Sequence, residues 1–367
     1  MDEIPFPLPA AARRGATGNA SGRYEPTATV PADDGWAEAL GAAWDDPDLP
    51  PLRTEVREER ARSVLTRNTS PDVPFDRSIN PYRGCEHGCI YCYARPTHAY
   101  LGLSPGLDFE TRLTAKPDAP ALLEAALRRP GYRVAPIAIG TNTDPYQPIE
   151  RQRGIMRGIL EVLAAYRHPV TITTKSALVL RDLDLLSAMA ADGLAAVALS
   201  VTTLDRALAR RLEPRASPPA ARLKAVAALA AAGVPAAVMA APVIPGLTDH
   251  ELESILEAGA AAGAGAAGFI LLRLPVDVGP LFRDWLAVHA PDRAARVESL
   301  LRQCRGGALS DARFGRRMRG EGPVAELLSH RHRLACRRLG LVDGRAGTLR
   351  SDLFRPPPRA GDQLSLW

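Results

Sequence analysis

Cys85, Cys89 and Cys92 stand in a C-x3-C-x2-C spacing inside the stretch Asn80 to Tyr93, which reads NPYRGCEHGCIYCY. Sulfurs this close in sequence can serve one metal centre, with Gly84 and Gly88 letting the backbone turn tightly. They cannot close a tetrahedral zinc site without a fourth ligand. On a four-iron, four-sulfur cluster, which normally takes four thiolates, they leave one iron without a protein ligand and open to chemistry. The alternatives are a structural zinc site completed by His87 or His98, or thiols that bind nothing. Zinc knuckles usually come as paired C-x2-C or C…H motifs, and no second pair follows here.

Such a loop needs a scaffold. The 367 residues allow one barrel-sized domain with flanks. The expected division is a partly disordered N-terminal lead-in over 1–55, a barrel over 56–280, a helical basic region over 281–345 and a Pro-rich tail over 346–367. Of five cysteines, three lie in the loop, so a disulfide framework is not expected and a reducing cytoplasm fits. The polar run after Arg13 and Arg14 lacks the apolar core of a signal peptide, and no stretch reads as a membrane span. Net charge is +5, mildly favourable to an anionic partner.

From the loop onward, short aliphatic runs alternate with helical patterns, the rhythm of βα units around a parallel sheet. Strands are expected at 79–83, 136–140, 170–175, 195–201, 236–241 and 268–273. A helix over 149–166 places Ile155, Ile159, Val162, Leu163 and Tyr166 on one face. Ser217 and Pro218 open the next long helix, which Gly233 closes. Thr248 and Glu251 form a capping box ahead of a further helix. The fold class is α/β, a partial (β/α)6 TIM-type barrel with N- and C-terminal extensions. Its chemistry is expected at the C-terminal strand ends.

Those ends carry polar groups. The second strand runs into Thr141, Asn142, Thr143 and Asp144, and the third into Lys175, one of only three lysines, placed to pair with a carboxylate. Ser200 and Thr202 lie on one face at the fourth end. Val243 and Ile244 at the fifth end offer an apolar face to a ring such as adenine. Arg273 closes the sixth, where it holds an anion or caps the rim. Each of these residues also has an ordinary structural reading as a polar turn, a surface lysine or core packing; their coincidence at successive strand ends is the argument.

The chain resembles radical S-adenosylmethionine (SAM) proteins of the group related to spore photoproduct lyase. The resemblance covers roughly 53–340 and rests on SPDVPFDRSINPYRGCEHGCIYCYARPTHAYLGLSPGLDFET, GTNTDPYQPIE, TTKS, SVTT and APVIPGLTD. It implies that Cys85, Cys89 and Cys92 hold a 4Fe-4S cluster whose fourth iron takes the SAM amino and carboxylate groups. One electron then cleaves SAM to methionine and a 5′-deoxyadenosyl radical, which abstracts hydrogen from a substrate. Cofactor contacts carry over to Tyr91, Lys175 and Ser200, and to Thr141 or Asn142; the strand-end reading adds Thr202 and Val243. In spore photoproduct lyase, tyrosines flanking the last cluster cysteine assist the chemistry, and Tyr91 and Tyr93 match them, with Tyr93 the catalytic candidate. The further barrel cysteine of that enzyme has no counterpart between Cys92 and Cys304. Cys304, following Val297, Leu300 and Leu301 at helical intervals, reads as a core thiol, and Cys336 in RHRLACRRLG is uninformative.

Arginines concentrate at 305–319 and 331–338, a patch able to neutralise phosphates or to form a solvated helix face. After FRPPP the chain ends in Gln363, Leu364, Ser365, Leu366 and Trp367, a peptide similar to those that dock bacterial DNA enzymes on the sliding clamp. The leading expectation is therefore a radical SAM enzyme acting on nucleic acid, DNA favoured, with an external electron donor and no membrane partner. Alternatives are the same chemistry on RNA, protein or a metabolite, and a non-catalytic zinc-stabilised nucleic-acid-binding module.

Overall fold

Short runs dominated by Val, Ile, Leu and Ala pair edge to edge because helices cover them, so every position can be apolar. The computed structural model describes residues 14–25, 52–344 and 347–358. Six parallel strands follow one another in space as in sequence: β1 (Arg77–Ile79), β2 (Ile137–Ile139), β3 (Val170–Thr174), β4 (Ala195–Ser200), β5 (Ala236–Val243) and β6 (Ala266–Leu271). Leu65–Arg67 runs antiparallel along β1 at one edge, and Val342–Asp343 runs parallel along β6 at the other. The two edge strands do not pair with each other, so the barrel stays open.

The core lies between sheet and helices. Helix Ile155–Ala165 buries Ile155, Ile159 and Leu163, and helix Pro219–Ala231 buries Val226 and Leu229 before Gly233 turns the chain with φ 74°. A second apolar cluster sits under the cysteine loop, where Ile90 and Tyr91 meet Leu208, Leu212, Ile244 and Trp285. Among the described residues no helix is long and apolar enough to cross a membrane.

Several expectations shift. The strand expected at 79–83 divides at Pro81, which has no N–H for a ladder. Tyr82–Arg83 joins a separate three-stranded sheet with Arg112–Ala115 and Glu55–Glu58. The last strand ends at Leu271, so Arg273 lies beyond it. The helix over 149–166 breaks at Gly154, φ 64°, into Glu150–Arg153 and Ile155–Ala165; its apolar stripe survives the break, with Val162 half-buried. The capping box does not form. The Thr248 hydroxyl accepts from the Ile244 N–H at 3.0 Å, and Glu251 accepts from the Thr203 hydroxyl at 2.5 Å and the Leu204 N–H at 2.6 Å. Partners distant in sequence outbid the local cap.

Both extensions contribute to the body. Gly15 and Ala16 are buried against the cysteine loop. After Val342–Asp343, residues 347–358 run under the barrel, where Phe354 packs against Tyr132, Tyr166 and His168. Between them, helices Val278–His289, Pro291–Gln303 and Gly322–Leu339 close the flank beside β6. Cys304 and Cys336 are buried in the core, 0% and 2% exposed, and neither is available at the strand ends.

Candidate active site

A chain that presents three sulfurs from one loop must hold that loop's backbone still, and here one buried side chain does most of it. Arg95 is fully buried and spends its guanidinium on the loop. Nε donates to the Cys89 carbonyl at 3.0 Å, Nη2 to the Gly88 carbonyl at 3.1 Å and to Glu110 at 2.5 Å, and Nη1 to the carbonyls of Pro105 and Gly106 at 3.0 and 2.9 Å. Glu110 in turn accepts the N–H groups of Gly15 and Ala16, both at 2.9 Å, so the N-terminal segment crosses the loop. The crossing is close: a Cβ on Gly15 would stand 1.7 Å from the Gly88 carbonyl oxygen.

Gln147 supports the loop from the other side. Its amide oxygen accepts the Glu86 N–H at 2.8 Å and its nitrogen donates to the Gly84 carbonyl at 3.3 Å. Gly84 and Gly88 take φ 74° and 67°, the left-handed conformation expected of them. Cys85 and Cys89 are buried, Cys92 is half-buried, and none is in a disulfide. Burial pushes all three thiols up; Asp144 adds to the effect at Cys85 and Glu213 at Cys89. Thiols held protonated by burial release their protons only to a metal that binds them, which couples cluster loading to proton release.

This donor set fits an iron–sulfur cluster better than a single ion. Among the described residues no three His, Cys, Asp or Glu side chains converge as one ion requires. Thiolates that each take a different iron of a cluster need not converge in that way. The two histidines considered as a fourth ligand have other partners. His87 Nδ1 faces Asp144 at 3.3 Å, and His98 Nε2 lies 2.9 Å from the Arg112 carbonyl with its ring against Phe109.

Tyr91, between the last two cysteines, reaches into a buried polar network that sequence reasoning missed. Its hydroxyl donates to Glu213 and lies 3.0 Å from the Thr202 hydroxyl. Glu213 also accepts from Thr202 at 2.5 Å, pairs with Lys175 at 3.2 Å and is clamped by the buried Arg222. Arg222 reaches back to the Ser200 carbonyl at 2.8 Å. Burial alone would raise the Glu213 carboxyl, yet Arg222 and Lys175 hold it well below the usual carboxylate range. Lys175 thus meets a carboxylate as expected, but one from its own chain. It further donates to the Ala241 carbonyl at 2.8 Å and stands 5.6 Å from the Tyr91 ring centre.

The other expected residues divide between the mouth and the framework. Ser200 ends β4 with little exposure, and Thr202 is committed to Tyr91, Glu213 and the Ala241 carbonyl. Val243 and Ile244 are buried at the end of β5. The Thr141 carbonyl accepts from the Tyr93 hydroxyl, and the Asn142 N–H donates to Asn80 at 3.0 Å. Thr143 bonds the Tyr82 carbonyl at 3.0 Å and belongs to the framework. Asp144 is the joint between loop and sheet: it accepts from Thr174 and from the Lys175 N–H, both at 2.7 Å, beside His87. Tyr93 remains 44% exposed, with the Arg273 guanidinium 5.4 Å from its ring centre. No spacing signal marks Arg95, Glu110, Glu213 or Arg222 in the sequence; each is read from its contacts.

In the C-terminal patch, Arg313 and Arg316 pair with Glu321, Arg317 with Asp72, Arg331 with Glu253 and Arg338 with Glu257. The exposed pairs, those of Arg313, Arg316 and Arg338, are worth little and exchange readily for a phosphate, whereas Asp72 is largely buried with Arg317. The peptide Gln363 to Trp367 lies outside the described residues.

With this geometry in view, comparison places the chain among known proteins. The profile of the Radical SAM superfamily matches residues 79–259. An uncharacterized protein of Mycobacterium tuberculosis is 42% identical over 233 residues, which span 63% of this chain and 68% of that one. An uncharacterized protein of Methanocaldococcus jannaschii is 29% identical over 199 residues, 54% of this chain and 71% of that one. Among solved structures, spore photoproduct lyase complexed with dinucleoside spore photoproduct aligns with a TM-score of 0.56 at 16% identity, covering 78% of this chain and 81% of that one. At that identity the likeness is one of fold.

Proposed function

Because the chain belongs to the radical SAM superfamily, whose cofactors are a 4Fe-4S cluster and SAM, we propose that it is an enzyme that abstracts hydrogen from a nucleic acid, in a repair-like lyase or oxidoreductase reaction. The observation that carries the reading is the Arg95-pinned loop, which sets three free cysteines against the strand ends bearing Lys175 and Ser200. When bound, the two cofactors supply reductive cleavage of SAM to methionine and a 5′-deoxyadenosyl radical that abstracts hydrogen.

The chain's own part is holding and positioning. Cys85, Cys89 and Cys92 hold the cluster. Lys175 and Ser200, at adjacent strand ends, are the groups that hold SAM, with Thr141, Asn142 and Val243 around them. Lys175 comes to the cofactor already fixed by Glu213 and the Ala241 carbonyl, so little side-chain entropy is lost on binding. Thr202 acts through that network. The buried apolar cluster beneath Tyr91 keeps water from the loop's inner side. Tyr93, half-exposed at the mouth with its hydroxyl on the Thr141 carbonyl, is the group that meets substrate and the candidate to handle a substrate hydrogen.

Nucleic acid is favoured by the fold shared with an enzyme solved with a dinucleoside lesion, and by the arginines near the mouth. Hydrogen return must differ from a route through a barrel cysteine, because Cys304 and Cys336 are buried in the core. The deciding experiment is electron paramagnetic resonance on anaerobically reconstituted, dithionite-reduced protein with and without SAM, alongside iron and zinc analysis. It is followed by 5′-deoxyadenosine formation with ultraviolet-irradiated DNA, intact DNA and RNA. A reduced-cluster signal that shifts with SAM, and turnover raised by one nucleic acid, support the proposal. Zinc without iron sinks it, and turnover indifferent to all three nucleic acids removes the substrate assignment.

A further inference from the structure

Arg273 lies two residues past β6, at the mouth and half-buried, yet no ion pair among the described residues involves it. Its contacts are the Met318 sulfur at 3.5 Å and the face of Tyr93, 5.4 Å from guanidinium carbon to ring centre. A guanidinium taken partly out of water without a counter-charge is costly, and a ring face compensates only part of that cost. The carboxylate that acts on it, Asp72, is already spent: it accepts from Arg317 and from the Gly315 N–H at 2.6 Å.

Arg305 deepens the imbalance. It is 2% exposed, and its donors go to the carbonyls of Leu271, Leu272, Arg316 and Arg317, none of them charged. Its Nε has no hydrogen-bond partner among the described residues. Asp311, the carboxylate acting on it, is paired with Arg313. Arg305 therefore straps the segment carrying Arg317 and the exposed Phe314 against the end of β6, and the Leu271 N–H bonds the Met318 carbonyl at 2.9 Å in the same seam. Folding has gathered Arg305 and Arg317 around Arg273, which faces Tyr93, and among the described residues Asp72 is the only carboxylate paired to any of the three.

From this we infer that Arg273 is a substrate-gripping residue: it holds a backbone phosphate of the nucleic-acid substrate, so that the nucleotide next to that phosphate is presented to Tyr93. The inference rests on the nucleic-acid reading above and adds where the substrate is gripped. Arg suits the task, since its planar fork takes two phosphate oxygens at once while its face stays on the aromatic ring. Arg317 stays with Asp72 and covers one face of Phe314, 4.7 Å from guanidinium carbon to ring centre, and the exposed Phe314 offers its other face to an unpaired base.

The test uses the full-length, cluster-loaded protein and a short single-stranded oligodeoxynucleotide, compared with versions in which one internal linkage at a time is an uncharged methylphosphonate. Wild type is expected to lose roughly tenfold in affinity at one linkage position and little at the others. Arg273→Gln is expected to lose about the same with the all-phosphate strand and to become indifferent to that position, whereas Arg273→Lys, which keeps the charge without the fork, is expected to lose less and to stay partly sensitive to it. The slope of log Kd against log salt falls by about 0.7 in Arg273→Gln. Wild type insensitive to every single neutral linkage overturns the inference while leaving the nucleic-acid reading intact, and needs no variant to fold. Wild type that cleaves SAM but binds no strand overturns the reading itself. Arg273→Gln that binds DNA normally but loses SAM assigns the guanidinium to the cofactor and also overturns the inference.

Discussion

Glu213→Gln is the substitution that most directly probes how the cysteine loop is tied to the sheet. Glu213 is 2% exposed and shared by Arg222, Lys175, Tyr91 and Thr202. Glutamine keeps one acceptor oxygen but removes the charge, leaving Arg222 buried with two carbonyls and no carboxylate. Breaking a buried pair by removing one partner costs about 3–5 kcal/mol, and the retained hydrogen bonds put the glutamine variant near the lower figure. Glu213→Leu also removes the acceptor that the Tyr91 and Thr202 hydroxyls share, leaving them only each other and the Ala241 carbonyl, at about 1 kcal/mol for each bond lost. The double change Glu213→Leu with Arg222→Leu removes both charges and is expected to recover several kcal/mol over Glu213→Leu alone. Arg222→Leu alone completes the set, and anaerobic urea denaturation of wild type, the two leucine singles and the double variant closes the cycle, with Glu213→Gln measured beside it. SAM affinity reads the second consequence, because an amide no longer fixes the Lys175 ammonium. A loss below about 1 kcal/mol in Glu213→Gln, or a double variant no more stable than the singles, would refute the argument that this charge pair anchors the site.

Arg95→Ala removes the donors to the Gly88 and Cys89 carbonyls and strands the buried Glu110; it should cost about 3–5 kcal/mol and abolish iron loading on reconstitution, read by urea midpoint and iron per chain. Full iron loading would show that the loop is set by other contacts. Burial holds the His168 imidazole down to about 4, with its Nε2 2.8 Å from the Tyr132 hydroxyl and Nδ1 3.0 Å from the Pro169 carbonyl. A depressed folded value means the stabilisation is complete above the unfolded value of about 6.5 and is lost as pH falls toward the folded one, so about 2 kcal/mol should disappear between pH 7.5 and 5. His168→Gln should flatten that slope, and an unchanged slope would assign it to other groups. Deleting residues 362–367 should abolish binding to a bacterial sliding clamp in a pull-down or surface binding assay; equal binding with and without them, or none by either, removes the clamp from the proposed partners.

What the sequence determined by itself is what short-range chemistry encodes. The C-x3-C-x2-C loop declares its donor set because three thiols so close in the chain cannot be far apart in space. The βα rhythm declares a parallel sheet because apolar runs covered on both faces and striped helices have few other ways to pack. Lys175 and Ser200 stood out because strand ends are where such a sheet puts its chemistry, and Tyr93 because it follows the last loop cysteine. Tertiary structure decided what depends on partners distant in the chain. Glu251 abandoned the cap its spacing suggested for Thr203 and Leu204, 48 and 47 residues away, and Glu110 took the N–H groups of Ala16 and Gly15, 94 and 95 residues away. Lys175 and Glu213 meet because adjacent parallel strands and the helix Arg206–Leu212 after β4, which Glu213 ends, bring them together, and no local pattern records that. Arg273 looked like a rim residue with two readings; only the fold, by committing Asp72 to Arg317, left it with no ion pair among the described residues. A buried charge must find its partner wherever the fold supplies one, and that is set by topology, not by spacing along the chain.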